Sequence, residues 1–336
     1  MVSRNNHYLS QMYLRNWTRD RKVYVYNLLV PDERIPLWIK RGTASIGSYD
    51  SMFVRLSNGE EVDDIEKDFA KNYEDPAKDA LDKAINGRQM TEDDWYSLIE
   101  FVACHIVRSP MFINEVLRIQ KEALPNALED LKETLPHITK EEALQFSKTY
   151  EDNTMFPLHI SEAEKVDSEH TMIKIETVIG KQSYLWAMEY LLKKTTYILH
   201  QHKWSIATVD DSVSLPTTDN PVVFLNYNNM DNYSLDGAWN SSNTNIIFPI
   251  SPKKMLICQV GVKCNPRITF NKEMSEFFKK VIVENAYKTV ISQDVDNSIP
   301  LIRARVVDNK EYQSEKNMWS DFQKSYLEKE APFIRS

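Results

Sequence analysis

Lys22-Val23-Tyr24-Val25-Tyr26-Asn27-Leu28 is the stretch on which the fold turns. β-Branched and aromatic residues alternate through it, which is the two-residue period of a strand. Residues 36–56 read as irregular with a short strand or two, and the remaining strand-like stretches lie far downstream, at residues 204–209, 222–225, 245–250, 255–260 and 301–307. Strands set apart from a helical middle predict an α+β chain, not an alternating α/β one. If residues 22–28 join the later strands, residues 1–309 form a single discontinuous domain. Its helical part spans about 60–201 and its mixed or antiparallel sheet about 20–56 plus 202–309. A charged helical tail is expected over 310–336.

The helical middle is read from spacing and caps. Val62, Ile65, Phe69, Tyr73, Ala77, Leu81 and Ile85 recur at helical intervals, and Asn86-Gly87 suits a left-handed C-terminal cap. Thr91-x-x-Asp94 resembles an N-cap opening a helix over 95–107. Pro110 fits the first turn of another helix over 111–124, where its missing donor costs nothing. Thr139-x-x-Glu142 fits a capping box before a further helix. Residues 161–201 read as one long helix, or a pair broken at Gly180, and residues 272–287 form a helix among the later strands.

Composition bounds the function classes. The chain has 336 residues, 42% hydrophobic and 27% charged, which is a globular balance with a sizeable core. Only 7 glycines occur, which argues against nucleotide folds built on glycine-rich phosphate loops. Cys104, Cys258 and Cys264 cannot all pair, and none lies in a Cys-x-x-Cys spacing, so neither a disulfide framework nor a zinc site is expected. The first residues lack the apolar core of a signal peptide, and no run approaches the ~20 apolar residues of a membrane span. The expected location is therefore cytoplasmic, with no membrane partner.

Net charge is −8, so contact with nucleic acid or a nucleotide would need a local patch. One candidate is the N-terminal stretch, where Arg4, Arg15, Arg19, Arg21 and Lys22 face only Asp20. It reads either as solvated surface or as an anion site around His7.

Four segments carry the residue types of chemistry. In His7-Tyr8-x-x-x-x-Tyr13-Leu14-Arg15-x-Trp17, helical geometry would put His7, Gln11 and either Leu14 or Arg15 on one face. The imidazole can act as acid, base or ligand near neutrality. Glu66 and Glu74 share a helix face but stand ~12 Å apart, too far to hold one metal without bending. His105 and Arg108 lie in an otherwise apolar helical run, where an unpaired polar group costs ~1–3 kcal/mol. Arg108 is thus either the partner of a carboxylate from the 60–85 helix or an anion-binding group. In Thr217-Thr218-Asp219-Asn220-Pro221, Asp219 and Asn220 enter a buried strand, where they either cap a turn or present a catalytic carboxylate. His200-Gln201-His202 would make a metal pair only on a strand, where residues two apart share a face. No Walker loop, Gly-x-Ser-x-Gly elbow or His-Glu-x-x-His motif is present.

Taken in order, these segments resemble a bacterial family known as domain of unknown function 4238. The resemblance rests on His7-Tyr8 with Tyr13-Leu14-Arg15-x-Trp17, Ile65-Glu66 and Arg108-Ser109-Pro110. It continues through Thr218-Asp219-Asn220-Pro221-Val222 and Phe248-Pro249-Ile250-Ser251-Pro252. The family pattern usually has proline near Ser10, phenylalanine at Trp17 and glutamine at His105, and only the last touches a candidate site. The resemblance implies a bacterial origin and, for some members, a place among anti-phage defence genes. It implies no reaction.

The leading expectation is a hydrolase, specifically a metal-dependent nuclease or phosphodiester-cleaving effector in anti-phage defence. His7 would be base or ligand, Glu66 and Asp219 would hold Mg²⁺ or Mn²⁺, and Arg15 or Arg108 would hold phosphate. Tyr8, Gln11, Asn220 and His105 complete the expected substrate contacts. One alternative is a sensor or binding module recognising a phage component or partner protein, with the same residues forming an interior polar network. Another is a toxin acting on nucleotides or transfer RNA. Convergence of His7, Glu66, Arg108 and Asp219 in an open cleft would favour the enzyme, whereas scatter or convergence in a sealed core would count against it.

Overall fold

The computed structural model describes residues 2–57, 59–134, 158–165 and 171–331. Strand β1 (Asn5–His7) leads into a single helical turn, α1 (Gln11–Leu14), which continues as a 3-10 turn to Trp17. His7 therefore ends a strand and is not on the helix expected around it. Strands β2 (Lys22–Asn27) and β3 (Ile39–Gly42) pair antiparallel, and β4 (Ser48–Asp50) returns to pair with β1, setting His7 opposite Ser48.

The expected helix over 60–85 starts later. A short strand, Glu60–Val62, precedes α2 (Asp64–Asp68), which runs through a wide π turn (Phe69–Glu74) into α3 (Asp75–Ile85). Helix α4 (Glu92–Val107) begins with both bonds of the capping box between Thr91 and Asp94. Its residues from Phe101 to Val107 are all buried, so it serves as the axis of the core. Helix α5 (Pro110–Thr134) leaves α4 at 59°, where Pro110 has no N–H to continue the ladder. Among the described residues no single helix is long and apolar enough to cross a membrane. The capping box expected at Thr139 lies outside the described residues.

Residues 161–201 are not a long helix. Leu158–Lys165 and Thr171–Thr177 are antiparallel strands, and among the described residues of this stretch only α6 (Lys181–Leu199), starting directly after Gly180, is helical. Thr171, Ile173, Ile175 and Thr177 place a β-branched residue at every second position, the strand period.

The C-terminal half holds β5 (Ser205–Thr208), β6 (Thr217–Thr218), β7 (Val223–Asn229), β8 (Asn232–Ser234), β9 (Thr244–Ser251), β10 (Lys254–Gln259) and β11 (Arg267–Thr269). Helix α7 (Lys272–Glu284), strand β12 (Thr289–Ser292) and helix α8 (Asn309–Ser325) come after them. A six-stranded mixed sheet runs β8-β7-β9-β10-β5-β11, and β5 with β11 is its parallel pair. The chain is an α+β protein. Strand β2 does meet the later strands, but in a second, antiparallel sheet of order β6-β12-β2-β3, with Val25 opposite Ile291 and Asn27 opposite Thr289. The strand expected over 301–307 is instead a helical turn, Ile299–Ile302, with Pro300 in its first turn, and then a two-residue bridge.

Two packings hold the sheets and helices in place. Phe277, Phe278, Val281 and Ile282 of α7 cover one face of the six-stranded sheet, while α4 and its neighbours α3 and α6 lie in the main core. Helix α8 docks through buried Trp319, whose ring meets Tyr49 and Tyr184. Beyond it, the Glu330 carboxylate accepts the Lys181 and Gln182 N–H groups at 2.8 and 2.9 Å, capping α6. Gly180 permits that approach, because a Cβ there would collide with the Glu330 carboxylate.

Candidate functional site

The two predicted segments do come together. Tyr13 Oη lies 2.6 Å from Thr217 Oγ1 and donates to the Pro249 carbonyl at 2.8 Å, while Trp17 Nε1 donates to the Leu215 carbonyl at 2.9 Å. Tyr13 and Trp17 are fully buried, and Tyr13 stacks on Phe248. The junction is therefore dry, and its bonds replace water that the hydroxyl and indole would otherwise need.

Arg108, about 1% exposed, sits behind β1. Its Nε donates to the Tyr8 carbonyl at 3.0 Å, and Nη2 makes an ion pair with Glu74 Oε1 at 2.8 Å, outside hydrogen-bond alignment. The guanidinium also lies over the Phe69 ring. Its charge is thus taken up inside the protein, as a partner of the wide-turn carboxylate. His105 is equally buried. Its Nδ1 meets the Phe101 carbonyl at 2.9 Å, and Tyr13, Phe101 and Phe248 surround the ring. Burial holds its pKa well below the ordinary histidine value, with the Arg108 charge adding to the effect, so it is a neutral core residue. Neither side chain reaches solvent.

Asp219 is a structural acceptor. Its two oxygens take the N–H groups of Tyr287 and Lys288, each at 2.8 Å, and the residue is about 1% exposed. Burial pushes its pKa up to about 6 against the pull of the Lys288, Tyr287 and Thr289 amides and the Lys288 charge. Asn220 bridges the Asn285 carbonyl and the Met111 sulfur through its amide nitrogen, so it also ties loops together. Tyr8 is buried, and Asp219 adds to the rise of its hydroxyl pKa, which burial dominates. The cleft beside this group, lined by Tyr49, Lys288 and Glu315, is about 200 Å³, and the Lys288–Glu315 ion pair at 2.8 Å crosses it.

Of the predicted residues, His7, Gln11 and Glu66 reach solvent together. Glu66 Oε1 accepts the His7 backbone N–H at 3.0 Å and lies 3.9 Å from His7 Nδ1. The Gln11 amide nitrogen is 3.4 Å from His7 Nε2, and buried Asn6 donates to Glu66 Oε2. The side chains of His7 and Glu66 are 13% and 25% exposed. Arg15 is exposed and pairs with no carboxylate among the described residues. The basic patch is divided, because Arg4 pairs with Glu61 and Arg19 with Asp294. Glu66 and Asp219 do not meet as a ligand pair: each is engaged with its own backbone donors, and the described residues contain no group of three metal-ligating side chains.

A larger open space lies elsewhere, between α4 and α6, and sequence reasoning missed it. Tyr96 of α4 stacks on His200 at the end of α6, ring centroids 4.0 Å apart and 16° from parallel. On one side is a cavity of about 670 Å³, lined by Tyr73, Glu100, Lys193 and Tyr197 among others. On the other is one of about 750 Å³, with Trp95, Trp204, Lys203 and Lys263 in its walls. His200 Nε2 and Thr196 Oγ1, of residues lining the groove, are buried polar atoms without a hydrogen-bond partner among the described residues. Burial lowers the His200 pKa and raises that of Glu100. His202 Nε2 donates to the Trp239 carbonyl at 2.7 Å, so it diverges from His200 and the two are not a metal pair. The available signal was the run Trp186, Tyr190, Tyr197 and His200 at helical spacing on α6. Its partner Tyr96 lies too far away in sequence for the pattern to find it.

The sequence pattern of a family described as "Protein of unknown function (DUF4238)" matches residues 5–296. The chain belongs to this family. The DUF4238 match takes in the dry junction, the His7–Glu66 contact and both walls of the groove, whereas α8 lies beyond it. No curated protein and no solved structure matches the chain.

Proposed function

We propose that the chain is a recognition protein that binds its ligand in the groove between α4 and α6. In this reading the residues around Arg108 and Asp219 form the interior network that holds the groove's walls in register. The observation that carries it is the contrast in access. Arg108, His105 and Asp219 are sealed from solvent, whereas the groove offers two cavities of ligand size flanking an aromatic stack. A fragment screen by saturation-transfer NMR tests this directly. Hits are expected in the groove and are expected to vanish in Tyr96→Ala, with His7→Ala unaffected. Hits insensitive to Tyr96→Ala would overturn the assignment.

One contact supports a second reading, a phosphodiester-cleaving effector in anti-phage defence. His7 and Glu66 lie 3.9 Å apart with both side chains partly exposed, within ion-pair range, and a side-chain rotation that closes the gap to hydrogen-bond distance would let the carboxylate orient the imidazole as general base. Mg²⁺ or Mn²⁺ would then rest on Glu66, without Asp219. Single-stranded and duplex DNA and RNA, incubated with the protein and either cation, separate the two. Cleavage lost in both His7→Ala and Glu66→Gln at unchanged melting temperature would favour the effector over the recognition protein.

A further inference from the structure

The groove's second cavity has a chemistry of its own. Trp95 and Tyr96 reach it from α4, and Trp204 from the connection between α6 and β5. Lys203 stands beside Trp204, and Lys263 is carried in by the loop between β10 and β11. Both lysines are exposed, and neither pairs with a carboxylate among the described residues. Glu92 is the carboxylate in this wall, on the first turn of α4, and Asn265 adds a neutral donor and acceptor. On a chain of net charge −8, two unpaired cations beside three aromatic side chains form a local exception.

From this juxtaposition we infer that the cavity of about 750 Å³ binds a nucleoside phosphate, with its base against Trp95 and Tyr96, the buried Trp204 forming the wall behind them, and its phosphate on Lys203 and Lys263. The inference rests on the recognition reading and names the ligand for that groove. Each half of the ligand answers a different feature. A planar base gains from stacking on aromatic faces irrespective of its identity. A phosphate dianion gains from ammonium groups that have no internal partner. An aliphatic or purely aromatic ligand would leave the lysines unused, and a bare anion would leave the rings unused. Glu92 and Asn265 can bond to the ribose hydroxyls or the base edge. The volume suits a mononucleotide, or one nucleotide of a single strand whose neighbours pass outside.

Isothermal titration of the full chain tests this with adenosine monophosphate, adenosine, inorganic phosphate and an eight-nucleotide oligo(dA). Saturable binding of adenosine monophosphate is expected, with adenosine and inorganic phosphate each weaker by about tenfold or more. The double variant Lys203→Ala/Lys263→Ala should weaken the nucleotide about tenfold while leaving the affinity for adenosine unchanged. Both lysines are exposed, so folding is retained and the melting temperature verifies it. If the oligonucleotide binds more tightly, with an affinity that falls steeply with salt, the source is a single strand. Equal affinity per site points to a free nucleotide. No heat with either nucleotide probe, phosphate binding as tightly as the nucleotide, or indifference to the double variant would each overturn the inference. Groove-directed fragment hits would leave the recognition reading standing in that event.

Discussion

The dry junction and the α4–α6 groove are both rich in the side chains of chemistry, yet they spend them differently. At the junction Arg108, His105 and Asp219 are turned inward, and their donors and acceptors face backbone groups, an ion pair and rings. In the groove Tyr96, Tyr197, Lys203 and Lys263 are exposed, and they line open space. Residue type alone does not separate the two. Access does: a side chain sealed among rings, backbone groups and an ion pair fixes structure, and one that lines open space is free to meet something else.

The largest test of this contrast is Arg108→Ala. It would strand the Tyr8 carbonyl and part of the Glu74 charge, and because Glu74 retains some solvent the expected loss is about 3 kcal/mol in chemical denaturation. A variant that keeps its stability would mean that Arg108 is held ready for a ligand.

A second test uses pH. His105 stays neutral in the fold, while in the unfolded chain it protonates below its ordinary value of about 6.5. The unfolded state therefore takes up a proton that the folded state refuses, and stability falls as pH drops below that value. Asp219 works in the opposite sense. Its folded pKa of about 6 lies above the ordinary value of 3.8, so its contribution is largest below 3.8 and is lost as pH rises through 6. Comparing wild type with His105→Gln at each pH cancels the Asp219 effect. The variant should remove a loss of up to about 2 kcal/mol between pH 7 and pH 5. Parallel pH profiles for the two proteins would show His105 to be reached by solvent.

The smallest expected stability change is at the groove. Tyr96 is 53% exposed, so Tyr96→Ala should move unfolding free energy by only about 0.5 kcal/mol. A loss comparable to that of Arg108→Ala would place Tyr96 in the core network and erase the contrast.

Legibility in the sequence tracks the range of the signal. Local periodicity suffices for β2, β5, β7, β9, β10 and the Thr91–Asp94 cap, because each is decided within a few residues. Residues 171–177 have a clear β-branched alternation, yet the strong helical pattern of α6 extends the reading back across Gly180 and hides it. The meeting of His7–Trp17 with Thr217–Pro221 is legible in the sequence, but its dryness is not. Whether Asp219 faces water or the amides of Tyr287 and Lys288 depends on chain that no local pattern specifies. The groove is invisible for the same reason: Tyr96, His200 and Lys263 become neighbours only when three distant segments pack.

The pairing of β2 with β12 sets a timetable for making the protein. Asn27 finds its partner only when Thr289 has emerged from the ribosome. At about 5–20 residues per second, that delay is on the order of tens of seconds. Throughout it the β2–β3 hairpin presents one open edge carrying Val23, Val25 and Tyr26, the kind of edge that recruits other chains. Translation speed and chaperone occupancy during that interval thus become determinants of soluble yield, set by the distance between two strands that end up side by side.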